Sequence, residues 1–556
     1  MNKLLLLFLL VAMLYSCKTV KKTTESTPPQ PSVQKDNFLW ENANFYFLLT
    51  DRFKNGDTSN DNNFERNKGA DVLRGFEGGD LRGIIQKIDD NYFTDLGVDA
   101  IWMTPIVEQI HGGTDEGSGK TYAYHGYWTK DWTALDPNFG TKEDLRELVQ
   151  KAHAKGIRIV LDAVVNHTGP VTEIDPAFPS DWVRTGPACT YEDYKSTVEC
   201  TLVENLPDIL TENNENVELP DQLVKKWKEE GRYREEMESL DAFFKKTGYP
   251  RAPKYYIMKW LADYITEFGI DGYRVDTVKH TEEDVWADFS KITQMAFEEY
   301  NAKLPRSKRS KSDFFLVGEV YGYGIGQREF YNFPDKKVNY FDYGFPALIN
   351  FDFKQDATQS FEELFSSYSD ILNNEMPGKM VMNYLSSHDD GQPFDKLRET
   401  PYDAGTLLLL SPGISQIYYG DETARPLEIK GAKGDANLRS NMNWEDIEND
   451  LETKSILEHF QKLGKFRQKH PAVGAGVHQM ISDDPYWFKR TYNKNDIEDI
   501  VVIGLDLPVG VNTVDVSNAF ENGQRVRDAY SGIVTHVKNG KVRLELDESI
   551  VLLEKY

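Results

Sequence analysis

Short apolar runs alternate with amphipathic segments between residues 40 and 425, and few folds accommodate such a pattern. The apolar runs at 45–49, 100–103 and 157–161 are typical of buried strands. Between the last two runs, residues 142–155 carry apolar side chains at helical spacing and end before a glycine. Repeated strand–helix units predict a parallel sheet covered by helices, which places the chain in the α/β class.

Carboxylates stand at the ends of several predicted strands. Asp276, Glu319 and Asp389 each come at, or shortly after, the end of an apolar run. A doubly wound sheet and a closed barrel both satisfy the alternation of strands and helices. Acids and histidines at the ends of many strands favour the barrel, because the carboxyl ends of barrel strands meet at one face. The predicted fold is therefore a (β/α)8 TIM barrel.

The alternation of strand and helix is interrupted once and then stops. Residues 168–252 have loop-like sequence and a charged helix-like run at 221–246, which indicates a domain inserted after the third strand as one wall of a cleft. Beyond residue 425, short alternating runs separated by turn residues predict a C-terminal antiparallel β-sandwich. The predicted domains are the first part of the barrel at 38–167, the inserted domain at 168–252, the second part of the barrel at 253–425, and a linker with the sandwich at 426–556.

The composition is that of a large, acidic, globular protein. Its 556 residues carry a formal net charge of −26, and 40% of them are hydrophobic. Nucleic-acid binding needs basic surface to displace counterions, so this charge argues against a nucleic-acid partner. Neutral substrates or bound cations fit the charge better. No feature of the sequence specifies an oligomeric state.

The first residues have the pattern of an export signal. Residues 1–17 combine a basic start, an apolar run and small residues before Cys17. The apolar run is too short for a permanent membrane span. Residues 14–17 resemble the lipobox of bacterial lipoproteins, in which the cysteine is acylated, and an ordinary cleaved signal is the alternative. With residues 18–37 as a flexible tether, we expect an exported protein of the bacterial cell envelope, periplasmic or at the cell surface, attached to the membrane only through a lipid anchor.

Two further cysteines lie in the inserted segment. Cys189 and Cys200 are close in sequence and would be exported to an oxidising compartment. They can close a small loop as a disulfide. Two free thiols are the alternative, because sequence spacing does not show whether the two side chains approach each other.

Several short segments resemble the conserved regions of one enzyme family. They occur in the order and approximate spacing of those regions in the α-amylase family, glycoside hydrolase family thirteen, and the resemblance runs from about residue 37 to the C-terminus. The resemblance implies a catalytic barrel, an inserted domain after the third strand and a C-terminal β-sandwich. The matching segments are 162–167, 272–280, 318–320 and 388–389, with supporting matches at 124–128, 206–208 and 413–422.

The family resemblance implies a role for each of the three acids. A retaining glycosidase uses one ionised carboxylate to attack the anomeric carbon and one protonated carboxyl to protonate the leaving oxygen, with the two about 5–5.5 Å apart. By the match, Asp276 is the nucleophile, Glu319 is the general acid and then the base, and Asp389 steadies the distorted sugar. Arg274, on the same side of the strand as Asp276, would keep the nucleophile ionised. The neighbouring carboxylates would keep Glu319 protonated at working pH.

Other matched residues are implied to contact the sugar. His167 and His388 would bond hydroxyls of the reacting ring, and Tyr127 would stack on its face. His125 either touches the substrate or braces Tyr127. The implied substrate-binding residues are His125, Tyr127, His167, Arg274, Lys279, His388, Asp435 and Arg439.

The residue after the nucleophile indicates the linkage. In the family a threonine there accompanies cleavage of α-1,4 bonds, and this chain has Thr277. The prediction is a retaining hydrolase that cleaves α-1,4-glucosidic bonds of starch-like α-glucans or maltooligosaccharides through a covalent glycosyl-enzyme intermediate. A cyclomaltodextrinase, an α-glucosidase or a transglycosylase of the same family is the alternative among enzymes. A non-catalytic glucan-binding lipoprotein is the alternative of another class, although such proteins usually lack one of the acids.

The resemblance implies Ca²⁺ as a cofactor at two places. Asn166, Asp208 and the backbone carbonyl of His280 match a calcium site between barrel and inserted domain. A second candidate resembles an extra calcium loop of some members, and a plain Asn/Asp-rich turn is its alternative. Oxygen ligands of this kind suit Ca²⁺. The residues of the second candidate are Asn55, Asp57, Asn60, Asp61, Gly78 and Asp80.

Two segments depart from the family pattern. Residues 209–251 intervene before the next predicted helix, which leaves the shape of the cleft open. Residues 386–391 differ from the common Asn-His-Asp pattern around the third acid.

Overall fold

The computed structural model describes residues 38–115, 117–494 and 496–556. The predicted signal peptide and tether, including Cys17, lie outside the described residues. None of the helices in the described part of the chain combines the length and the apolar character that a membrane crossing requires.

Eight parallel strands form a closed barrel in which each strand pairs with the next one in the chain and the last pairs with the first. This confirms the predicted (β/α)8 barrel. Strands β1 and β8 are buried along their whole length, as expected for strands covered by helices outside and filled by side chains inside. The strands are β1 (Asn44–Leu48), β2 (Ala100–Met103), β3 (Arg158–Ala163), β4 (Gly272–Val275), β5 (Phe315–Gly318), β6 (Ala347–Asn350), β7 (Met380–Tyr384) and β8 (Ile414–Tyr418).

Helices cover the outside of the barrel and begin at identifiable caps. The helix Lys142–Ala154 starts with a capping box, in which the Thr141 and Asp144 side chains satisfy each other's backbone N–H groups. Between β5 and β6 the described residues form the 3₁₀ helices Ile325–Gln327 and Tyr340–Tyr343 and the antiparallel pair Tyr331–Asn332 and Lys337–Val338, so this unit has no α-helix in the described chain. The α-helices of the barrel region are Thr50–Phe53, Leu81–Asp89, Tyr92–Asp95, Lys142–Ala154, Pro253–Phe268, Glu283–Lys303, Phe353–Asp356, Phe361–Asp370, Pro401–Leu410, Trp444–Asn449, Leu451–Lys469 and Pro471–Ala475.

A long excursion separates β3 from β4, as predicted for an inserted domain. It contains the antiparallel pair Val183–Arg184 and Asp208–Ile209, and the helices Lys195–Val198, Asp221–Glu229 and Tyr233–Thr247. The charged run at 221–246 is therefore two helices rather than one, because the chain turns at Gly231, whose φ of 76° is a conformation that glycine adopts at little cost. Cys189 and Cys200 are joined by a disulfide with Cα atoms 4.9 Å apart.

The C-terminal part is an antiparallel sandwich, as predicted. Six strands form one sheet and two form another, and a cluster of buried side chains that includes Trp487, Phe520 and Val542 fills the space between them. The strands are β9 (Val477–Ser482), β10 (Tyr486–Lys494), β11 (Ile497–Leu505), β12 (Gly510–Asp515), β13 (Arg525–Asp528), β14 (Val534–His536), β15 (Lys541–Leu546) and β16 (Val551–Lys555). The numbered domain boundaries stay predictions, because one continuous apolar core runs from the barrel into the insertion and into the first layer of the sandwich.

Candidate active site

The three predicted acids meet at the carboxyl ends of the barrel strands. Val275 at the end of β4 pairs in register with Gly318 at the end of β5, so Asp276 and Glu319 follow on neighbouring strands. Asp389 lies in the loop after β7. Neighbouring strands are about 5 Å apart, which is close to the separation that a retaining mechanism requires.

Arg274 connects the acids at the base of the site. Its Nη1 atom donates to Asp276 Oδ1 at 2.7 Å, and its Nη2 atom lies 2.9 Å from Glu319 Oε1. Nη1 also lies 3.0 and 3.1 Å from the two carboxylate oxygens of Asp162, at the end of β3. The guanidinium is 1% exposed, so these interactions act with little screening by water. One arginine therefore fixes three carboxylates relative to one another.

Asp162 has further donors, which hold it in place. Trp102 Nε1 and Tyr127 OH donate to Asp162 Oδ2 at 3.1 and 2.9 Å. Burial raises the pKa of Asp162 to about 7, with Arg274 acting in the opposite direction. Tyr127 is predicted to contact the sugar. Asp162 therefore connects Arg274, at the base of the site, to the Tyr127 ring.

Glu319 is placed to carry a proton at neutral pH. Burial raises the pKa of its carboxyl from 4.5 to about 8; Arg274 opposes the shift, and Asp276 and Asp389 add to it. The Thr277 backbone N–H donates to Glu319 Oε2 at 2.9 Å, which fixes the orientation of the carboxyl group. A protonated carboxyl beside two other acids matches the requirements for a general acid.

Asp389 stands in the opposite environment. Burial works toward its neutral form, but His388 and Arg439 outweigh this and lower the pKa of its carboxyl. His388 Nε2 lies 3.0 Å from Asp389 Oδ2, and Arg439 bonds the other oxygen. Arg439 Nη1 also contacts Asp435 Oδ2 at 2.7 Å, so the predicted residues of the neighbouring sugar site join Asp389 in one network. The Asp389 side chain is 44% exposed.

Tyr127 and the predicted histidines surround the space above the acids. The Tyr127 and His388 rings are stacked with centroids 5.1 Å apart. His167 Nε2 bonds the Tyr127 carbonyl at 3.1 Å, and His125 Nδ1 accepts from the Tyr127 backbone N–H at 3.1 Å, so His125 braces Tyr127. Among the described residues, His167 Nδ1, His388 Nδ1 and Thr277 Oγ1 are buried with no hydrogen-bond partner. Buried polar atoms are normally paired, so these three are suited to bond the hydroxyls of a ligand.

Lys279 lies near Glu319 and is surrounded by tyrosine rings. Its Nζ atom donates to the Tyr321 carbonyl at 3.0 Å. The ring centroids of Tyr191, Tyr321 and Tyr331 are 5.8, 5.2 and 5.6 Å from Nζ, within the range of cation–π attraction. Tyr191 and Tyr321 are 45% and 54% exposed, so the site continues past Glu319 as an aromatic rim.

Residues 47–472 match the family model described as alpha amylase, catalytic domain. The chain belongs to the α-amylase family. It is a glycoside hydrolase, and the predicted family membership is confirmed. Periplasmic alpha-amylase of Escherichia coli (strain K12) is 34% identical over 83% of this chain and 72% of that protein. Beta/alpha-amylase of Paenibacillus polymyxa is 30% identical over 92% of this chain, which spans 37% of the length of that relative.

Solved structures of the family share the fold. An Anoxybacillus alpha-amylase superposes with a TM-score of 0.65 at 26% identity, covering 93% of this chain and 99% of that one. An alpha-amylase from Geobacillus thermoleovorans, complexed with acarbose, has a TM-score of 0.63 at 23% identity, with coverage of 93% and 99%. At that identity the second likeness concerns the fold alone.

The first predicted calcium position of this α-amylase-family enzyme brings its residues together. The Ile209 backbone N–H donates to the Asn166 carbonyl at 2.7 Å, and Thr281, directly after His280, donates to Asn166 Oδ1 at 3.1 Å. Asp208 Oδ1 is buried without a hydrogen-bond partner among the described residues, which fits a cation. Asp208 Oδ2, however, lies 2.9 Å from Arg184 Nε, so a protein cation already stands on one side.

The second predicted position forms a compact loop. Asp80 caps the helix Leu81–Asp89 and accepts from the backbone N–H groups of Gly56, Asp57 and Gly83. A Cβ at Gly78, where φ is 94°, would lie 2.8 Å from Asp61 Oδ1, so the carbonyl-bearing backbone approaches the acid closely.

Two amide oxygens of this loop, Asn55 Oδ1 and Asn60 Oδ1, are buried without partners among the described residues, which suits a cation. Asp57 points outward and accepts from Ser59. Within the described ranges no three His, Cys, Asp or Glu side chains cluster as a metal site, so the ligands at both positions would be largely amide and carbonyl oxygens.

The residues that sequence reasoning missed are mostly partners of predicted ones. Asp162 opens the matched segment 162–167, and its place on the same strand face as Val160 and Val164 was the available signal. Arg74 Nη2 bonds Asp435 Oδ1 at 2.8 Å, and its sequence surroundings give no sign of this. The tyrosines around Lys279 come from the insertion (Tyr191) and from the connection between β5 and β6 (Tyr321 and Tyr331), so only the fold brings them together.

Proposed function

We propose that this enzyme hydrolyses α-1,4-glucosidic bonds of starch-like glucans or maltooligosaccharides with retention of configuration. The observation that carries the proposal is the bonding of Asp276 and Glu319 to the same guanidinium, on neighbouring strands of one barrel. Two carboxyls at this spacing suit a covalent mechanism, whereas an inverting mechanism needs room for a water between them.

The reaction runs in two steps. In the first, an Asp276 oxygen forms a bond to the anomeric carbon while the bond to the leaving oxygen breaks, and Glu319 gives its proton to that oxygen. In the second, Glu319 takes a proton from water, the water oxygen bonds the anomeric carbon, and the bond to Asp276 breaks. Arg274 stays bonded to both acids, so it favours an ionised Asp276 and holds the geometry through both steps.

The remaining site residues would hold the substrate on the two sides of the scissile bond. Asp389 and Arg439, with His388, are placed to bond the sugar that becomes the glycosyl group, and Tyr127 is placed to stack on it. Glu319 must face the leaving oxygen, and by the family resemblance Lys279 would bind the sugar on the leaving side. Thr277 and the α-amylase names among the relatives support an α-1,4 linkage.

Nuclear magnetic resonance during the first turnovers of maltoheptaose tests the mechanism. We expect the α-anomer to appear first and to mutarotate later, and early β-anomer would rule out retention. The same digests, analysed by chromatography, report chain-length preference.

Transglycosylation is the second candidate, because an aromatic rim beside Lys279 can hold an acceptor sugar. Among the relatives, a cyclomaltodextrin glucanotransferase of Geobacillus stearothermophilus is 26% identical over 91% of this chain. Products longer than the maltoheptaose substrate, or cyclic products from soluble starch, would favour that reading over simple hydrolysis. The non-catalytic alternative finds no support, since all three acids are present at the carboxyl ends of the barrel strands, two of them bound by Arg274.

We propose structural calcium at both predicted positions. At the first, Asn166, Asp208 and the His280 carbonyl would hold the ion and tie the insertion to the barrel beside Asp276. At the second, the ligands would be Asn55, Asn60, Asp61, the Gly78 carbonyl and Asp80, and the side chain of the sixth predicted residue, Asp57, would have to turn inward from its contact with Ser59 to join them. Calcium would supply positive charge that fixes these loops, and it takes no part in the bond-breaking steps.

Export and lipidation complete the proposal. We expect Cys17 to be acylated and the enzyme to lie in the cell envelope; the name of the E. coli relative supports export. Metabolic labelling with a radioactive fatty acid should mark the wild-type protein and leave Cys17→Ser unlabelled, whereas label on both would overturn the assignment of the acylated residue.

A further inference from the structure

A groove of about 590 Å³ lies behind the wall of the active site, between the barrel loops and the insertion. Its apolar lining includes Phe64, Ile110, Phe178 and Leu223, and the His111 ring also lines it. This volume is within the range of cavities that bind small ligands. None of the acids or sugar-binding residues described above lines the groove.

A pair of stacked rings, Phe64 and His111, forms an aromatic platform at the edge of the groove. The Phe64 ring stacks on the His111 ring with centroids 3.6 Å apart and planes 14° apart. Phe64 is 49% exposed, although it is a large apolar residue, and its φ of 60° is rare for a non-glycine residue. Glu108 Oε1 holds His111 Nε2 at 3.1 Å, so the lower ring of the stack is fixed. An exposed ring on a fixed support is a surface on which the apolar face of a sugar can stack.

The charged groups around the platform are already neutralised. Lys130 Nζ lies 2.6 Å from Asp175 Oδ1, and Lys226 Nζ lies 2.7 Å from Glu108 Oε2 and 3.0 Å from Glu230 Oε1. An anionic or cationic ligand would have to compete with these pairs. A neutral polyhydroxyl ligand can instead form hydrogen bonds with the outer atoms of these ion pairs without breaking the pairs. The groove therefore favours a sugar over a charged ligand.

The groove shares its wall with the catalytic site. Tyr127 and His167 face the active site, and residues directly beyond them, Thr129 and Thr168, line the groove. The opposite wall includes Leu223 and Lys226 of the helix Asp221–Glu229, which belongs to the stretch that departs from the family pattern. The added helix thus closes a space that the barrel alone would leave open.

We propose that this groove is a second, non-catalytic binding site for α-glucan chains, with Phe64 stacked on His111 as its platform. The proposal rests on the proposed function, since it assigns the same substrate class to a second place. A chain held there would keep a long polysaccharide near the catalytic cleft, while a short substrate would gain nothing from it.

Calorimetric titration with maltoheptaose in a Glu319→Gln background, where hydrolysis is blocked, counts the sites. We expect two binding events, and Phe64→Ala in that background should weaken one of them about tenfold or more. Phe64→Trp should retain both, because a larger ring preserves stacking. Tyr556→Ala is the matched control, since Tyr556 is an exposed aromatic of the sandwich at 58%. A single event in the parent, or two unchanged events in Phe64→Ala, would overturn the proposal.

Kinetics separate this proposal from the proposed function. In the otherwise wild-type chain, Phe64→Ala should lower kcat/KM on soluble starch by about three- to tenfold and leave kcat/KM on a short chromogenic maltoside within about twofold. An equal fall on both substrates would contradict a second site. A wild-type enzyme inactive on the maltoside would instead contradict the proposed function, whatever the number of binding events.

Discussion

Arg274 in the barrel and Arg184 in the insertion each bind more than one carboxylate, and the negative charge around them is neutralised in different ways. Arg274 contacts three carboxylates, those of Asp162, Asp276 and Glu319. Arg184 contacts two, those of Asp208 and Glu212. Both guanidinium groups are largely removed from water, with side-chain exposures of 1% and 13%. In each cluster the acids outnumber the arginine.

The excess negative charge is reduced by a proton in the Arg274 cluster. In our proposal, a metal ion neutralises it in the Arg184 cluster. Around Arg274 the surplus negative charge and the burial raise the pKa of Glu319, which then holds the proton that the reaction needs. Around Arg184, burial raises the pKa of Asp208 to about 9 in the absence of a metal ion, and Asp208 Oδ1 has no protein donor in the described part of the chain, so a bound cation would take the place of a proton there. The cluster in the barrel can thus serve proton transfer, while the cluster in the insertion would serve to hold the structure together.

Asp276→Asn should have the largest effect and should act on chemistry alone. An amide at the position of the nucleophile can still accept from Arg274 but cannot form the glycosyl-enzyme bond. We expect kcat on maltoheptaose to fall by at least about 10³-fold with an unchanged thermal transition. Full activity in a purified, sequence-verified variant would remove Asp276 from the mechanism.

Glu319→Gln tests the proton in the Arg274 cluster through stability. The pKa of this carboxyl is higher in the folded state than its ordinary 4.5, so its stabilising contribution is complete below about pH 4.5 and is lost as pH rises through about 8. Glutamine stays neutral, and the variant should exceed the wild type at pH 9 by roughly 2–4 kcal/mol in free energy of unfolding while matching it near pH 4.5. Denaturant titrations at pH 4.5, 7 and 9 measure this.

Asp389→Asn is the control of opposite sign. His388 and Arg439 lower the pKa of Asp389, so its contribution is present above the ordinary pKa of a carboxyl and lost on acidification. This variant should therefore be less stable than the wild type at pH 7. If the two variants had the same pH dependence, the assignment of the proton to Glu319 would be wrong. In the wild type, kcat/KM should fall as pH rises through about 8.

Chelation tests the metal in the other cluster. An ion that binds only the folded state stabilises it by about 2.7 kcal/mol at a hundredfold excess over Kd, so removal of calcium should lower Tm by several degrees. Asp208→Asn and Asp80→Asn each disable one position, and each should retain part of the chelator response. A wild-type Tm unmoved by prolonged chelation, with calcium absent from the protein by elemental analysis, would contradict both positions.

The fold was predictable from sequence wherever pattern and spacing carry the information. Barrel strands are short apolar runs, and the helix Lys142–Ala154 can be recognised from the helical spacing of its apolar residues and from its N-terminal cap. The fifth unit was not predictable in detail, because residues 319–346 form two 3₁₀ helices and a two-residue strand pair, which are too short to leave a periodic pattern in the sequence. The run at 221–246 is divided into two helices at a single residue, Gly231. The sequence has helical spacing on both sides of this residue, so the division was not recognisable from the pattern.

The site was predictable only in part, because short motifs identify residues but not their partners. Asp276 and Glu319 stand in matched segments, and strand register brings them together. The bond between Arg439 and Asp389 joins residues from separate loops, and no local pattern predicts it. Likewise, Arg184 gave no sequence signal, since its contact with Asp208 depends on the antiparallel pairing of Val183–Arg184 with Asp208–Ile209.

Arg184→Met should have the smallest effect and bears most directly on the contrast between the two arginines. Without the guanidinium, Asp208 loses its protein cation, so the calcium-free protein should lose about 1–3 kcal/mol of unfolding free energy. Calcium would then meet less electrostatic repulsion and should bind more tightly, so the Tm difference between calcium-loaded and chelated protein should be larger than in the wild type. Arg184→Lys, which keeps the charge, should give the wild-type difference, and kcat should stay within about twofold in both. If the difference instead vanished in Arg184→Met, Arg184 would be organising the ion's ligands, and the view of arginine and calcium as competitors for Asp208 would be wrong.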